Sequence, residues 1–138
     1  DDEAFMGCSG MTLVTIPNSV TSIGYGAFIG CCSLVSVTIP SSMTFIQRAT
    51  FKGCSSLASV TIPNSVRLIG DLAFYQCNGL TSVIIGKGVQ SIYYAFYNCY
   101  NLQEMILSQT AYENGIPESV TTFTTYSKNP MRVVVTSK

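Results

Sequence analysis

Histidine is absent from these 138 residues, and charge is scarce: Asp, Glu, Lys and Arg make up 10% of the chain, against ~25% in ordinary soluble domains. Without histidine, the commonest general base and a principal zinc ligand are missing together. Seven basic and seven acidic residues cancel. They are scattered, apart from the short run Asp1-Asp2-Glu3, which reads as a solvated end. A nucleic-acid binder needs a basic stripe to neutralise phosphates, and there is none, so no nucleic-acid partner is expected. No run of ~18 apolar residues occurs, so no membrane-spanning helix is expected. Gly86-Lys87-Gly88 lacks the spacing of a phosphate loop. Asp71, Glu104, Glu113 and Glu118 fall in different coils or loops and give no argument for a convergent acid pair, and no base is placed to activate a serine or threonine. The inventory argues against an enzyme and implies no catalytic residue, cofactor or metal.

What is present is repetition. Leu57-Ala-Ser-Val-Thr-Ile-Pro-Asn-Ser-Val-Arg-Leu-Ile-Gly-Asp-Leu-Ala-Phe-Tyr-Gln-Cys77 has copies on both sides. Ile16-Pro17, Ile39-Pro40 and Ile62-Pro63 lie 23 residues apart, and Ile85-Gly86 keeps the step. Phe5, Phe28, Phe51 and Phe74 share the interval, as do Cys8, Cys31, Cys54 and Cys77, with Phe96 and Cys99 one residue early. A fixed period of this length is the signature of a solenoid, in which each unit buries its apolar strip against its neighbours.

Each unit has three parts. Leu34-x-x-Val37-x-Ile39 and its copies are rich in Val, Ile and Thr and alternate, which predicts a short strand. Strands stacked coil upon coil must be parallel, and Pro17, Pro40 and Pro63 then end them because proline cannot donate to a ladder. Asn-Ser-Val-x-x-Ile-Gly follows, with turn chemistry at Asn-Ser and core rungs at Val20, Met43, Val66 and Val89 and at Ile23, Ile46, Ile69 and Ile92. Gly24 and Gly70 are expected to turn a corner with positive φ. Ala-Phe-x-Gly-Cys is too short for a free helix and predicts a single helical or 3-10 turn with Phe and Cys inward. Residues 1–107 thus read as regular coils. Residues 108–138 read as an insertion loop (Ser108 to Gly115), one degenerate coil (Ile116 to Phe123) and a closing strand (Met131 to Val135), an atypical cap of the kind terminal repeats show. The whole of 1–138 is expected to be a single α/β repeat solenoid domain of ~23-residue coils, mostly short parallel β-strands. The chain opens inside a repeat, at Ala4-Phe5-Met6-Gly7-Cys8, and is expected to be a fragment, so missing targeting signals are uninformative. An incomplete first coil would expose an apolar edge and could favour end-to-end association.

Five of the six cysteines recur at one position per coil. Stacked coils set them ~4.8 Å apart with parallel side chains, whereas a disulfide needs Cβ atoms that face each other. A column of buried, reduced thiols acting as small hydrophobes is expected. Cys32 lies outside it and is the one candidate for a reactive or pairing thiol, against the simpler reading of an incidental neighbour of Cys31.

The run Leu-x-Ser-Val-x-Ile-Pro-x-Ser-Val-x-x-Ile-Gly-x-x-Ala-Phe-x-x-Cys-x-x-Leu resembles the leucine-rich repeat of BspA-like proteins, also called the Treponema pallidum type. The resemblance covers residues 4–107 strongly and 116–123 weakly, with departures at Gly86, at Tyr93-Tyr94 and in the cysteine-less last coil. It implies a curved solenoid with a parallel sheet on its concave side. It also implies a secreted or cell-surface protein of a host-associated organism, some members being adhesins that bind host matrix or plasma proteins, fibronectin and fibrinogen among them.

If Val37 and Ile39 point inward, Ser36 and Thr38 face out. The equivalent outward positions are Leu13 and Thr15, Ser59 and Thr61, Ser82 and Ile84, and Glu104 and Ile106. This face is the candidate binding surface. Ile84 and Ile106 beside Glu104 form a possible contact spot, unless the loop at Ser108 to Gly115 covers them or they are merely exposed aliphatics. Tyr75, Tyr93, Tyr94, Tyr97 and Tyr100 make a second candidate, against rings that simply pack along neighbouring coils. The leading expectation is a protein-binding module. The alternative is a structural spacer in a longer array. A carbohydrate-binding solenoid would need aromatics paired with carboxylates, which are not evident. The core positions account for the fold, so function must reside in what varies between copies, as at Arg67 against Thr44 and Gln90.

Overall fold

Each copy of the Val-x-Ile segment forms a strand because β-branched side chains fill a pleated surface that the next coil completes. The computed structural model describes residues 1–92, 94–116 and 132–136. The first strands of successive coils are β1 (Leu13–Thr15), β2 (Ser36–Thr38), β4 (Ser59–Ile62), β6 (Ser82–Ile85) and β8 (Glu104–Ser108), with β9 (Arg132–Thr136) beyond them. Three shorter strands, β3 (Phe45–Ile46), β5 (Leu68–Ile69) and β7 (Ser91–Ile92), lie on a second side. All pairings are parallel, and every one between regular coils joins equivalent positions, such as Val14 with Val37 and Val60 with Val83. The protein is therefore a parallel solenoid of ~23-residue coils, as the periodicity predicts.

The second side of each coil was expected to supply core rungs only. Met43, Val66 and Val89 are such rungs, all buried. The residues before Ile46, Ile69 and Ile92 also pair into the β3–β5–β7 sheet, at lengths too short for alternation to announce a strand.

The core is built of columns. Phe5, Phe28, Phe51, Phe74 and Phe96 stack ring on ring, with centroids 5.1–5.3 Å apart and planes within 13° of parallel. The one-residue shortening before Phe96 leaves this column intact: Phe74 and Phe96 are 5.1 Å apart and 2° from parallel. Leu34, Leu57, Leu80 and Leu102 are fully buried in another column.

The Ala-Phe turns are not helical. Each is a pair of successive tight turns, for instance Ile29 N–H to Gly26 O (3.0 Å) and Cys31 N–H to Phe28 O (3.2 Å). Left-handed residues bracket them: Gly26 and Gly30, Ala49 and Gly53, Leu72 and Gln76. A residue with φ near +60° cannot continue a right-handed turn, so the helical path is broken twice in each of these coils. The freed amides donate to the next coil, as Phe28 N–H to Thr50 O (2.9 Å) and Gly30 N–H to Lys52 O (2.8 Å).

Gly24 and Gly70 correct an expectation. Neither has positive φ. They are glycine because the coil before passes too close: a Cβ on Gly70 would lie 2.7 Å from Arg48 N, and one on Gly24 2.5 Å from the Asp1 carbonyl carbon.

Residues Ser108 to Gly115, expected to loop out, hold a short helix, α1 (Gln109–Glu113). Ser108 caps it, its Oγ accepting from Ala111 N–H at 3.2 Å, a favoured N-cap arrangement. Ala111 and Ile116 are buried. β9 lies where a closing strand was expected and pairs with β8 over five positions, from Glu104↔Arg132 to Ser108↔Thr136. The expected degenerate coil, from residue 117 on, lies outside the described residues.

Candidate interaction face

Alternation sets the outward face. In β2, Ser36 and Thr38 are exposed around buried Val37. In β4, Ser59 and Thr61 are exposed between buried Val60 and Ile62. Ile84 is exposed on β6 with Ser82 half-buried, and Glu104 and Ile106 are half-buried on β8. All eight expected residues thus face outward, but they do not share one sheet. Ser59, Thr61, Ser82, Ile84, Glu104 and Ile106 lie on the sheet β4–β6–β8–β9, whereas Ser36 and Thr38 lie on the separate pair β1–β2.

Register turns these residues into rows. One row runs Ser59, Ser82, Glu104, Arg132, and the other Thr61, Ile84, Ile106, Val134. Arg132 and Val134 were missed in the sequence because no Ala-Phe-Cys signal places β9 in the coil register. The second row changes from hydroxyl to aliphatic along the array, and Ile84 is 41% exposed. The first ends in opposite charges on cross-strand partners, an arrangement that favours pairing.

Beside the aliphatic row, an open groove of about 490 Å³ runs along the strand ends, lined by Thr61, Pro63, Ile84, Lys87, Ile106 and Thr136 among others. Ser108 lines it too, and no residue of α1 does; Ile84 is exposed and Ile106 half-buried. Among the described residues no group of three or more His, Cys, Asp or Glu side chains is arranged to hold a metal, and no helix is long and apolar enough to cross a membrane.

The tyrosines sit on the turn side. Tyr75 and Tyr97 stack at 5.8 Å, Tyr94 stands perpendicular to Tyr97 at 6.2 Å, and Lys52 Nζ lies 5.3 Å over the Tyr75 ring. Asn98 Nδ2 donates to Tyr75 Oη at 3.3 Å. Tyr75 is thus engaged on both faces by its own coils, while Tyr94 and Tyr100 are exposed. Tyr93 lies outside the described residues.

All six cysteines are free. The column does more than fill space. Cys31, Cys54, Cys77 and Cys99 donate Sγ–H to the carbonyls of Phe5, Phe28, Phe51 and Phe74 at 3.0–3.3 Å. Desolvation by burial pushes Cys54 and Cys99 up to about 12 and Cys77 well above the ordinary thiol range, and raises Cys31. Burial and a raised thiol pKa both disfavour the reactive thiolate at these positions. Cys32 is exposed and Cys8 half-buried.

Comparison with known proteins follows the same repeat. The model of the BspA type leucine-rich repeat region matches residues 1–127 in six copies. The chain belongs to this family. A leucine-rich repeat protein of Treponema pallidum matches this chain at 34% identity and TM-score 0.74, over 77% of this chain and 50% of its own. A leucine-rich cell surface protein of Faecalibacterium prausnitzii matches at 34% identity and TM-score 0.78, over 82% of this chain and 31% of its own. This BspA-type chain therefore spans half or less of the length of these relatives. The pneumococcal vaccine antigen PcpA shares the fold at 16% identity, TM-score 0.72, over 99% of this chain and 38% of its own. No match to a curated protein is found. Leucine-rich repeat arrays of this kind typically serve protein interaction through extended surfaces.

Proposed function

We propose that this chain is a non-enzymatic recognition segment of an adhesin-type protein, secreted or held at the cell surface, that binds a host matrix or plasma protein through its strand face. The observation that carries this reading is the aliphatic row Ile84, Ile106, Val134, set beside Glu104 and Arg132 and next to an open groove. Apolar surface rimmed by charge is the usual composition of a contact centre. Thr61, Ser59 and Ser82 continue the face as short polar side chains, which fit a wetted periphery; Ser36 and Thr38 extend it on the separate pair β1–β2. The surface location is supported by the F. prausnitzii relative, which is described as a cell surface protein. The reading takes residues 1–138 as one solenoid domain with 108–138 as its cap.

The test is an array of matrix and plasma proteins, fibronectin and fibrinogen included, probed with the purified protein. Saturable binding that falls about tenfold or more in the Ile84→Ala/Ile106→Ala variant supports the reading. Saturable binding that the double variant leaves unchanged removes the strand face from it. A second reading, a spacer within a longer array, is favoured by the short hydroxyl side chains Ser36, Thr38, Ser59 and Thr61, which leave much of the outward face without a distinctive contact group. It predicts no saturable binding by this segment to any member of the array.

A further inference from the structure

The strand face is interrupted. Along the same side of neighbouring coils, Val35 N–H donates to Thr12 O, Thr81 N–H to Ala58 O and Gln103 N–H to Thr81 O, each at 2.9 Å. No counterpart joins Ala58 to Val35. Further along, Ile16 N–H donates to Thr38 O at 3.4 Å, and Ile39 has no such bond to Thr61. β2 and β4 consequently fall in different sheets. A second observation marks the same junction. Ser42 Oγ donates to Val20 O at 2.6 Å, while Ser65 Oγ, one coil on, is buried and unpartnered. A cleft of about 290 Å³ lies over the two strands, lined by Ser36, Val37, Thr38, Ser59, Thr61 and Pro63 among others.

The other two sides of this junction are fully joined. Phe45 and Ile46 pair with Leu68 and Ile69, and Arg67 N–H donates to Thr44 O at 2.7 Å. On the turn side Ala49, Phe51 and Gly53 donate to Asp71, Ala73 and Tyr75 at 2.8–3.0 Å. The rings of Phe51 and Phe74 stack at 5.3 Å, and Cys77 Sγ–H donates to Phe51 O. A junction tied on two sides and free on the third can open only about the tied sides.

We propose that the junction between the coil of β2 and the coil of β4 is a hinge that opens and closes on its strand side. The outward face is then two plates, β1–β2 and β4–β6–β8–β9, whose relative tilt is variable. Polar lining keeps the open seam hydrated, so the seam-facing N–H groups of Ala58 and Ile39, which lack the bonds their counterparts make, are satisfied by water in the open form and by Val35 O and Thr61 O in the closed one. A ligand touching both plates would lock the hinge. That consequence rests on the recognition reading above; the hinge itself does not, and its test uses the protein alone.

The test is amide hydrogen exchange resolved to single residues by NMR on the unmodified protein. The amides of Ala58, Ser59 and Thr61 should exchange about tenfold or more faster than those of Thr81, Glu104 and Ile106, the factor set by one missing main-chain hydrogen bond. Arg67, Gly70, Phe51 and Gly53 should stay as protected as Gln90, Phe74 and Gln76. Equal protection of Ala58 to Thr61 and their counterparts overturns the proposal, because the seam is then closed in solution. Loss of protection on all three sides of the junction also overturns it, because the coils then separate by unfolding and do not hinge.

Discussion

Cys54 donates its thiol hydrogen to the main-chain carbonyl of Phe28, 3.3 Å away in the preceding coil. The same carbonyl accepts the N–H of Cys31 at 3.2 Å, so one oxygen ties a turn to itself and to the next coil. The relationship recurs from Cys31 to Cys99, and it explains why cysteine, and not only a small apolar residue, suits this position. Alanine would keep the packing roughly but drop the donor. Cys77→Ala is expected to lower unfolding stability by ~1–2 kcal/mol, from the lost buried volume and bond together. Urea unfolding measures it, and an unchanged midpoint would show that the thiol bonds contribute nothing.

Alkylation should separate the cysteines cleanly. Under native conditions near pH 8, N-ethylmaleimide is expected to modify Cys32, which is exposed, and to leave Cys54, Cys77 and Cys99, which are buried, unmodified until denaturant is added. Peptide mass mapping reads this directly.

The same burial makes stability fall in alkali. The folded thiols of Cys54 and Cys99 are pushed up to about 12, whereas in the unfolded chain they titrate near ~8.5. Between those values the unfolded state has released protons that the folded state keeps. The contribution is therefore complete below the unfolded value and is lost as pH rises through the folded one, at up to ~1.4 kcal/mol per pH unit for each thiol. Unfolding stability measured at a series of pH values should drop above about pH 9, and the drop should be shallower in a Cys54→Ala/Cys99→Ala variant. A parallel slope in that variant would assign the loss to other groups.

Phe51 lies between Phe28 and Phe74, 5.3 Å from each and nearly parallel to both. Phe51→Ala is expected to cost ~3–5 kcal/mol and to be non-additive with Phe74→Ala, since each removes a face the other packs on. A double-mutant cycle by thermal or urea unfolding gives the coupling.

Gly70→Ala is expected to destabilise by ~1–3 kcal/mol although its backbone conformation tolerates alanine, because the new Cβ would press on main chain. Its clash is with Arg48 N at 2.7 Å and Ile46 O at 2.8 Å. At Gly10, where a Cβ meets nothing within 4 Å, the same change should be nearly neutral. The contrast tests close approach as the reason for glycine.

The rows at the far end of the face show where sequence reading stopped. Glu104 and Ile106 could be placed outward because Leu102, Met105 and Leu107 repeat the inward pattern of Leu57, Val60 and Ile62. Arg132 and Val134 could not, because the chain between β8 and β9 departs from the 23-residue period and register is then set by pairing alone. The split between β2 and β4 was equally invisible: the outward hydroxyls Ser36 and Thr38 alternate just as Ser59 and Thr61 do, so nothing in the pattern distinguishes a bonded junction from an open one.

The sequence by itself determined the period, the parallel stacking and the inward columns, because identical residues at a fixed step can all be buried only if their coils superpose. Tertiary structure alone decided the rest. It replaced helical turns by left-handed brackets at Gly26 and Gly30, assigned Gly70 to crowding, turned Cys54 into a donor, drew Arg132 and Val134 onto the face, and left the strand ladder open between β2 and β4. Each of these depends on what the neighbouring coil brings within a few ångströms, a relation between residues about 23 positions apart that no local pattern encodes.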